Sequence, residues 1–178
     1  MQPSFFAITA AMLLLASNAG TCAATVATST VGPSGWQAYR NDQYSVELRY
    51  PPDYAVVTPR DQPQLRPAPL LRVWFKEGSL VNSPIADREP PQFALDVYDN
   101  ASRQTLDAWL AGGGVTRNFA RLTTQTVQVG GVEGLRLTDQ TLLAPNTFYY
   151  VARGPFVYRF TPLGGLSGQM LATVRFTR

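Results

Sequence analysis

The side chains best suited to chemistry in this sequence are arginines that alternate with apolar residues. All but one of the 15 basic residues are arginine, and Lys76 is the only lysine. A guanidinium is permanently charged and stacks on aromatic rings, so arginines beside Trp or Tyr can bind an anion. The residues that fit this pattern are Arg49, Arg72, Trp74, Tyr98, Arg136, Arg159 and Arg175. We predict that they share one polar sheet face with Glu47 and Asp96, which would contact a small anionic ligand or a partner protein.

The same arginines also have a purely structural interpretation. A polar sheet face can be solvated and salt-bridged, or a helix can cover it. We predict binding only if the arginines outnumber their acidic partners in the folded sheet, whereas a helix over the face, or arginines that are each paired, would count against binding. The sequence contains no run of basic residues, which argues against nucleic acid as a partner.

The sequence excludes several kinds of catalysis. It contains no histidine, which rules out Ser-His-Asp and Cys-His catalysis and histidine-based metal sites. Cys22 is the only cysteine, so it cannot form an internal disulfide, a redox pair or a cysteine metal cluster. The best pair of acids is Asp96 with Asp99, but residues three apart on a strand point in different directions. We therefore assign no catalytic residue, metal site or cofactor, and expect that the protein is not an enzyme.

The first 24 residues have the composition of an export signal. They carry no charged side chain, and their apolar run from residue 5 to 16 is shorter than the ~20 residues of a membrane-spanning helix. We expect a signal peptide at 1–24, cleaved near Ala24, and a periplasmic or secreted protein. In a second interpretation Cys22 is lipidated and anchors the protein to the envelope, although Ala19 and Thr21 match a lipobox only loosely. In a third, the segment is an uncleaved anchor.

The rest of the chain is predicted to be a flexible linker at 25–35 and one domain at 36–178. A length of 178 residues with 45% hydrophobic and 15% charged residues is typical of one globular domain. Alternation of apolar and polar residues predicts strands, the first at Tyr44–Tyr50, which ends at Pro51 and Pro52. The further predicted strands are Ala55–Thr58, Leu70–Lys76, Phe93–Tyr98, a hairpin around Gly130 and Gly131, Phe148–Ala152, Phe156–Thr161 and Thr173–Thr177.

Two short helices are predicted between these strands. Leu106, Trp109 and Leu110 share one face of a helix at Thr105–Ala111, and a second helix covers about Leu166–Ala172. The regions Pro59–Pro69 and Glu77–Gln92 are predicted to be loops. The fold class is therefore α+β, with a single antiparallel sheet of about six to eight strands and short flanking helices.

The order of these features resembles that of PsbP-like domains over about residues 36–177. The resemblance rests on Trp36, Tyr39, Tyr44, Tyr50-Pro51 and Tyr54, on the Val-x-Val-Gly-Gly-x-x-Gly pattern at Val127–Gly134, and on the Leu-x-x-x-x-Phe pattern at Leu171–Phe176. Ser45 and Val46 replace the glycine and phenylalanine often found after the first tyrosine, and Tyr54 replaces a tryptophan. The final helix is also shortened.

This resemblance implies an antiparallel sheet flanked by helices. Bacterial members are similar in being exported, often lipid-anchored and mostly without known activity, and the family has no general catalytic motif. We therefore expect a non-catalytic binding or accessory protein of the bacterial cell envelope. The alternatives are an immunity or inhibitor protein acting through Pro59–Pro69 or Glu77–Gln92, and a histidine-free hydrolase that uses carboxylates, or Arg and Tyr.

Overall fold

Strands dominate the computed structural model, which describes residues 33–59, 67–83, 89–113 and 122–178. In chain order the elements are β1 (Gln37–Asn41), β2 (Val46–Tyr50), β3 (Tyr54–Val57), β4 (Leu71–Glu77), α1 (Gly78–Val81), β5 (Phe93–Asp99), α2 (Leu106–Ala111), β6 (Leu122–Val129), β7 (Val132–Asp139), β8 (Thr147–Arg153), β9 (Phe156–Pro162), α3 (Ser167–Ala172) and β10 (Arg175–Phe176). The signal peptide predicted at 1–24, Cys22 within it, and residues 25–32 of the predicted linker lie outside the described residues.

The strands form two antiparallel sheets. The large sheet has the order β3-β4-β5-β9-β8-β7-β6, and the small sheet has the order β1-β2-β10. The α+β class is confirmed, and the seven strands of the large sheet fall within the predicted range. The small sheet was not predicted, because the mostly polar β1 segment shows no apolar alternation.

The main core lies between the two sheets. The large-sheet face that points to the small sheet, here called the inner face, presents Val73, Phe75, Leu95 and Phe160, all at most 2% exposed. The small sheet contributes Val46, Leu48 and Tyr50 to the same cluster, and α3 adds Met170. The hydroxyl of Tyr158 donates a 2.7 Å hydrogen bond to the carbonyl of Tyr44 and so joins the two layers. The predicted strand at Tyr44–Tyr50 therefore closes this core, although β2 itself begins at Val46.

The opposite face of the large sheet is partly covered by α2 and is called the helix face below. The Thr105 side chain caps the first turn of α2 by accepting a hydrogen bond from Ala108. Trp109 packs on Tyr98 with ring centroids 5.5 Å apart, and its indole N–H donates to the carbonyl of Asp99 at 3.0 Å. The two-turn helix is thus held by its apolar face, as the sequence predicts.

The glycine-rich pattern at 127–134 makes a tight hairpin between β6 and β7. Gly130 and Gly131 have φ values of 59° and 77°, which the primed hairpin turns require. Gly134 serves close strand packing, because a Cβ there would lie 2.3 Å from the carbonyl oxygen of Tyr150. Two differences from the predicted elements lie elsewhere. Ser45, with φ of 50°, ends a turn before β2, and α1 occupies four residues of the predicted loop at Glu77–Gln92.

None of the helices among the described residues is long and apolar enough to cross a membrane.

Candidate functional site

The predicted binding residues do not share one face, and that prediction is wrong. Arg72, Trp74, Tyr98 and Arg159 lie together on the helix face of the large sheet. Arg136 is opposite Tyr149, which is opposite Phe160, so Arg136 belongs to the inner face. Arg49 and Arg175 belong to the small sheet. Alternation shows on which side of its own strand a residue lies, but not to which sheet that strand belongs.

Three neighbouring strands bring two arginines onto one carboxylate. Arg72 on β4 is directly opposite Asp96 on β5, and Asp96 is directly opposite Arg159 on β9. Arg72 Nε lies 2.5 Å from Asp96 Oδ1, and Arg159 donates to Oδ2 through Nε at 3.0 Å and through Nη2 at 2.5 Å. We call these three residues the ionic cluster. Both carboxylate oxygens of Asp96 thus accept hydrogen bonds from guanidinium groups.

The ionic cluster is buried rather than spread over an open polar face. The side chains of Arg72, Asp96 and Arg159 are 12%, 2% and 11% exposed. Two guanidinium groups and one carboxylate leave one excess positive charge. Arginines therefore outnumber their acidic partner here, although each is paired with it and α2 covers part of the same face.

Aromatic rings surround the buried guanidinium of Arg159. Its Cζ lies 5.6 Å from the ring centroid of Tyr98 and 5.8 Å from that of Phe148, distances at which a ring face attracts a cation. Tyr150 is opposite Arg159 in the β8–β9 register. Trp74 continues the same face along β4, and the Lys76 ammonium lies 5.3 Å from its ring centroid.

Two tyrosine hydroxyls near the ionic cluster lack a partner. The hydroxyls of Tyr98 and Tyr150 are buried and form no hydrogen bond within the described residues. Burial raises the pKa of Tyr98 above its ordinary range, and it raises the pKa of Tyr150 to about 12 although the nearby Arg159 charge opposes the shift. Both hydroxyls are therefore neutral donors at physiological pH.

The charge on Arg159 is secured by its carboxylate. Burial alone would lower the pKa of this guanidinium, but the charge and hydrogen bonds of Asp96, together with the neighbouring Tyr98 and Tyr150, raise it above its ordinary value. Arg159 is thus a permanent cation in the interior. Such an ion is costly unless it is paired and hydrogen-bonded, which makes Asp96 essential to the arrangement.

The acidic pair considered in the sequence is separated as expected. Asp96 points to the helix face, whereas Asp99, three residues later, is opposite Phe156 and points to the other side of β5. Within the described ranges, no group of three or more His, Cys, Asp or Glu side chains could hold a metal ion. The ionic cluster itself offers hydrogen-bond donors and positive charge, which suit an anion.

The remaining predicted arginines lie on the solvent side of the small sheet. Glu47 is flanked in register by Arg40 on β1 and Arg175 on β10. Arg40 also pairs with Asp42 at 2.6 Å, where both side chains are more than half exposed. Arg49 is half-buried, and its Nη1 lies 3.5 Å from the carbonyl of Trp36. Exposed pairs of this kind contribute little to stability.

Sequence reasoning missed two parts of this region. Tyr150 and Phe148 were predicted only as strand residues, and only the β8–β9 register places them around Arg159. The other part is a cavity of about 520 Å³ between β7, β8 and the loop before α2. The side chain of Asn100 holds that loop: its Nδ2 donates to the carbonyl of Gln104, and its Oδ1 accepts from the backbone N–H of Gln104. The sequence signal for this loop is Asp99-Asn100-Ala101-Ser102, a composition typical of turns.

No protein-family model matches the sequence, and no curated protein matches it. Among solved structures, the chain is similar to cyanobacterial PsbP (CyanoP) from Synechocystis sp. PCC 6803, determined in solution. The TM-score is 0.46 at 13% sequence identity, and the aligned region covers 82% of this chain and 95% of that chain. PsbP is also the name of the family that the sequence resembles.

Proposed function

We propose that the protein is an exported, non-catalytic binding or accessory protein of the bacterial cell envelope that recognises an anionic group at the ionic cluster. The observation that carries this proposal is the sharing of one carboxylate, Asp96, by two buried guanidinium groups. An excess buried cation is unfavourable in isolation. A bound anion would supply the missing negative charge.

Unused hydrogen-bond donors support the same role. Arg72 donates to Asp96 through Nε alone, and within the described residues its two Nη groups have no acceptor. Because charge-assisted hydrogen bonds to an anion are about twice as strong as neutral ones, these groups favour an oxyanion over a neutral ligand.

Burial limits the size of the ligand. Arg72 is the most exposed member of the ionic cluster, and its side chain is only 12% exposed. A small carboxylate, or a single acidic side chain of a partner protein, can reach the exposed part of Arg72 more easily than a large ligand. Both sources present the same chemistry to Arg72, and experiments must distinguish them.

The two alternatives have less support. A hydrolase would need a free carboxylate, but both oxygens of Asp96 accept hydrogen bonds from arginine and Asp99 lies on the other side of the strand. An inhibitor acting through Pro59–Pro69 or Glu77–Gln92 would use loops of which residues 60–66 and 84–88 are outside the described residues. No specific contact favours either alternative.

Export is the other part of the proposal, and it rests on the composition of the first 24 residues. The expected product begins near Ala24 or Thr25 and lies in the periplasm or outside the cell. Intact mass of the protein purified from the envelope fraction tests this. A diacylglycerol adduct on Cys22 would instead establish a lipid anchor, and an uncleaved chain would contradict both.

Anion binding is tested by thermal unfolding in the presence of acetate, phosphate or chloride. A ligand at about ten times its Kd stabilises the folded state by roughly 1.4 kcal/mol. We expect such stabilisation in the wild type and its loss in Arg72→Gln, which removes the charge but leaves a polar side chain at this position. The matched control is Arg40→Gln, which removes an exposed arginine from the small sheet.

Two outcomes would count against the proposed site. Equal anion effects in wild type and Arg72→Gln would show that the anion acts elsewhere. If no free anion stabilises the wild type, a pull-down from envelope extract with wild type and Arg72→Gln as baits tests for an acidic partner. Equal recovery of every protein by both baits would then overturn the proposal.

A further inference from the structure

The free edge of the large sheet offers a second, independent surface. Among the described strands β6 is the outermost, and its one partner there is β7, through eight consecutive residues from Leu122 to Val129. In a two-residue hairpin the residues that flank the turn, Val129 and Val132, exchange both backbone hydrogen bonds. Because this pattern alternates, the N–H and C=O groups of every second residue in β6 point away from the sheet. These residues are Leu122, Thr124, Thr126 and Gln128.

The outward groups are accessible. Leu122, Thr124, Thr126 and Gln128 are all exposed. No backbone hydrogen bond from these four residues to another described residue exists beyond the β6–β7 ladder. Within the described part of the chain, the edge therefore presents a row of unused donors and acceptors spaced for another strand.

The two edges of the large sheet differ in their protection against pairing. β3, at the other edge, is only four residues long, and Pro59 follows it closely. β6 is twice as long, contains no proline and no charged residue, and pairs with β7 without a bulge. Its sequence, Leu-Thr-Thr-Gln-Thr-Val-Gln-Val, is rich in residues that favour strands. Charges, prolines and bulges are the usual means of preventing edge pairing, and β6 has none of them.

We propose that β6 pairs with β6 of a second copy of this chain, antiparallel and around a twofold axis at Gln125. In this register Thr124 is opposite Thr126 of the second copy, and Leu122 is opposite Gln128. All four outward residues then pair with one another, which forms about eight backbone hydrogen bonds. The large sheets join into one continuous sheet with both helix faces on the same side.

The absence of charge favours a second copy over an unrelated peptide. A strand that pairs with itself places each charge near its own copy, and like charges opposite each other destabilise a strand pair. β6 meets no such repulsion at any register. Threonine pairs across the interface are also favourable, and twofold closure leaves no further copy of this edge to continue the assembly.

Gln125→Glu provides the sharpest test. In the monomer Gln125 is opposite Arg136, so a glutamate there gains an opposite charge and the fold is retained. In the dimer the new glutamate lies opposite itself. Sedimentation equilibrium of the full chain should show a concentration-dependent dimer for wild type and a dimer Kd about tenfold weaker for Gln125→Glu. Gln43→Glu, an exposed position in the turn before β2, makes the same charge change away from the edge and should leave the dimer Kd unchanged.

Two further measurements test the register. Mixing Gln125→Glu with Gln125→Lys should restore the dimer, because opposite charges then meet at the axis. In hydrogen exchange, the amides of Leu122, Thr124, Thr126 and Gln128 should become protected as concentration rises, whereas those of Thr123 and Gln125 should not change. A wild type that is monomeric at every concentration up to its solubility limit overturns the proposal. A dimer whose Kd is unchanged in Gln125→Glu would also overturn the proposal. The same holds if β6 pairs with an extended peptide and not with a second copy of the chain.

Discussion

Arg159 and Asp96 lie opposite each other on β9 and β5, and two nitrogens of the guanidinium donate to the same carboxylate oxygen. The other oxygen accepts from Arg72. This geometry makes Asp96 the shared counter-charge of two buried guanidinium groups. The stability of the domain and its proposed affinity for anions thus depend on the same side chain.

Replacing Asp96 by Asn should destabilise the domain by about 3 to 5 kcal/mol, because both guanidinium groups would remain buried without a counter-charge. The amide keeps the size and shape of the side chain, so the effect reports charge and hydrogen bonding. The free energy of unfolding in urea measures the change. A loss below about 1 kcal/mol would mean that water solvates the arginines or that a bound anion already neutralises them.

The control for this substitution is Asp42→Asn. Asp42 pairs with Arg40 at 2.6 Å, but its side chain is 76% exposed. An exposed pair contributes at most about 1 kcal/mol. The ratio of the two losses therefore measures the effect of burial on the same type of contact.

Some of this site could be predicted from the sequence. The alternation of Arg72 with Val73, and of Asp96 with Leu95, correctly places both charged residues on the polar side of their strands. The pairing of Arg72, Asp96 and Arg159 could not be derived in that way. It depends on the order β4-β5-β9, in which strands distant in sequence are neighbours.

The division of the strands into two sheets could not be predicted from the alternation of apolar and polar residues either. Arg49 and Arg175 alternate with core residues just as Arg72 does, yet β2 and β10 form a separate layer. The apolar side of β2 faces the inner face of the large sheet, and its polar side faces solvent. An alternating strand fits either layer, so only packing of Val46 and Leu48 against the large-sheet core determines its place.

Alkaline pH should destabilise the fold through its buried tyrosines. The pKa of Tyr150 is raised to about 12 in the folded state, whereas an unfolded tyrosine titrates near 10. The neutral phenol therefore contributes to the free energy of unfolding fully below about pH 10, and this contribution is lost as the pH rises towards 12. The expected loss is roughly 1.4 kcal/mol per pH unit for one group. Unfolding in urea at several pH values, with phenolate absorbance as a second probe, measures this slope.

Tyr150→Phe tests the assignment. It should remove the contribution of one titrating group to the decrease of the unfolding free energy at alkaline pH. Tyr98 continues to contribute, because burial raises its pKa as well. At pH 7 the same substitution should raise the free energy of unfolding by up to about 1 kcal/mol, because it removes a buried hydroxyl without a partner. An unchanged alkaline slope would contradict the burial of this phenol.

Two glycines should respond to alanine in opposite directions. At Gly134 the new Cβ would lie 2.3 Å from the Tyr150 carbonyl and 2.9 Å from Val151 Cγ2, so β7 and β8 must separate. We expect a loss of about 1 to 3 kcal/mol in the free energy of unfolding, as for other overpacked sites.

Gly168 is the matched control for the same change. It lies within α3, and a Cβ there would meet no atom within 4 Å. Alanine is favoured over glycine in a helix by roughly 0.5 to 1 kcal/mol, so Gly168→Ala should stabilise the domain by that amount. Urea unfolding of both variants gives the comparison. If Gly134→Ala were neutral, the close approach of β7 to β8 would not limit this position, and the glycine of the hairpin pattern would need another explanation.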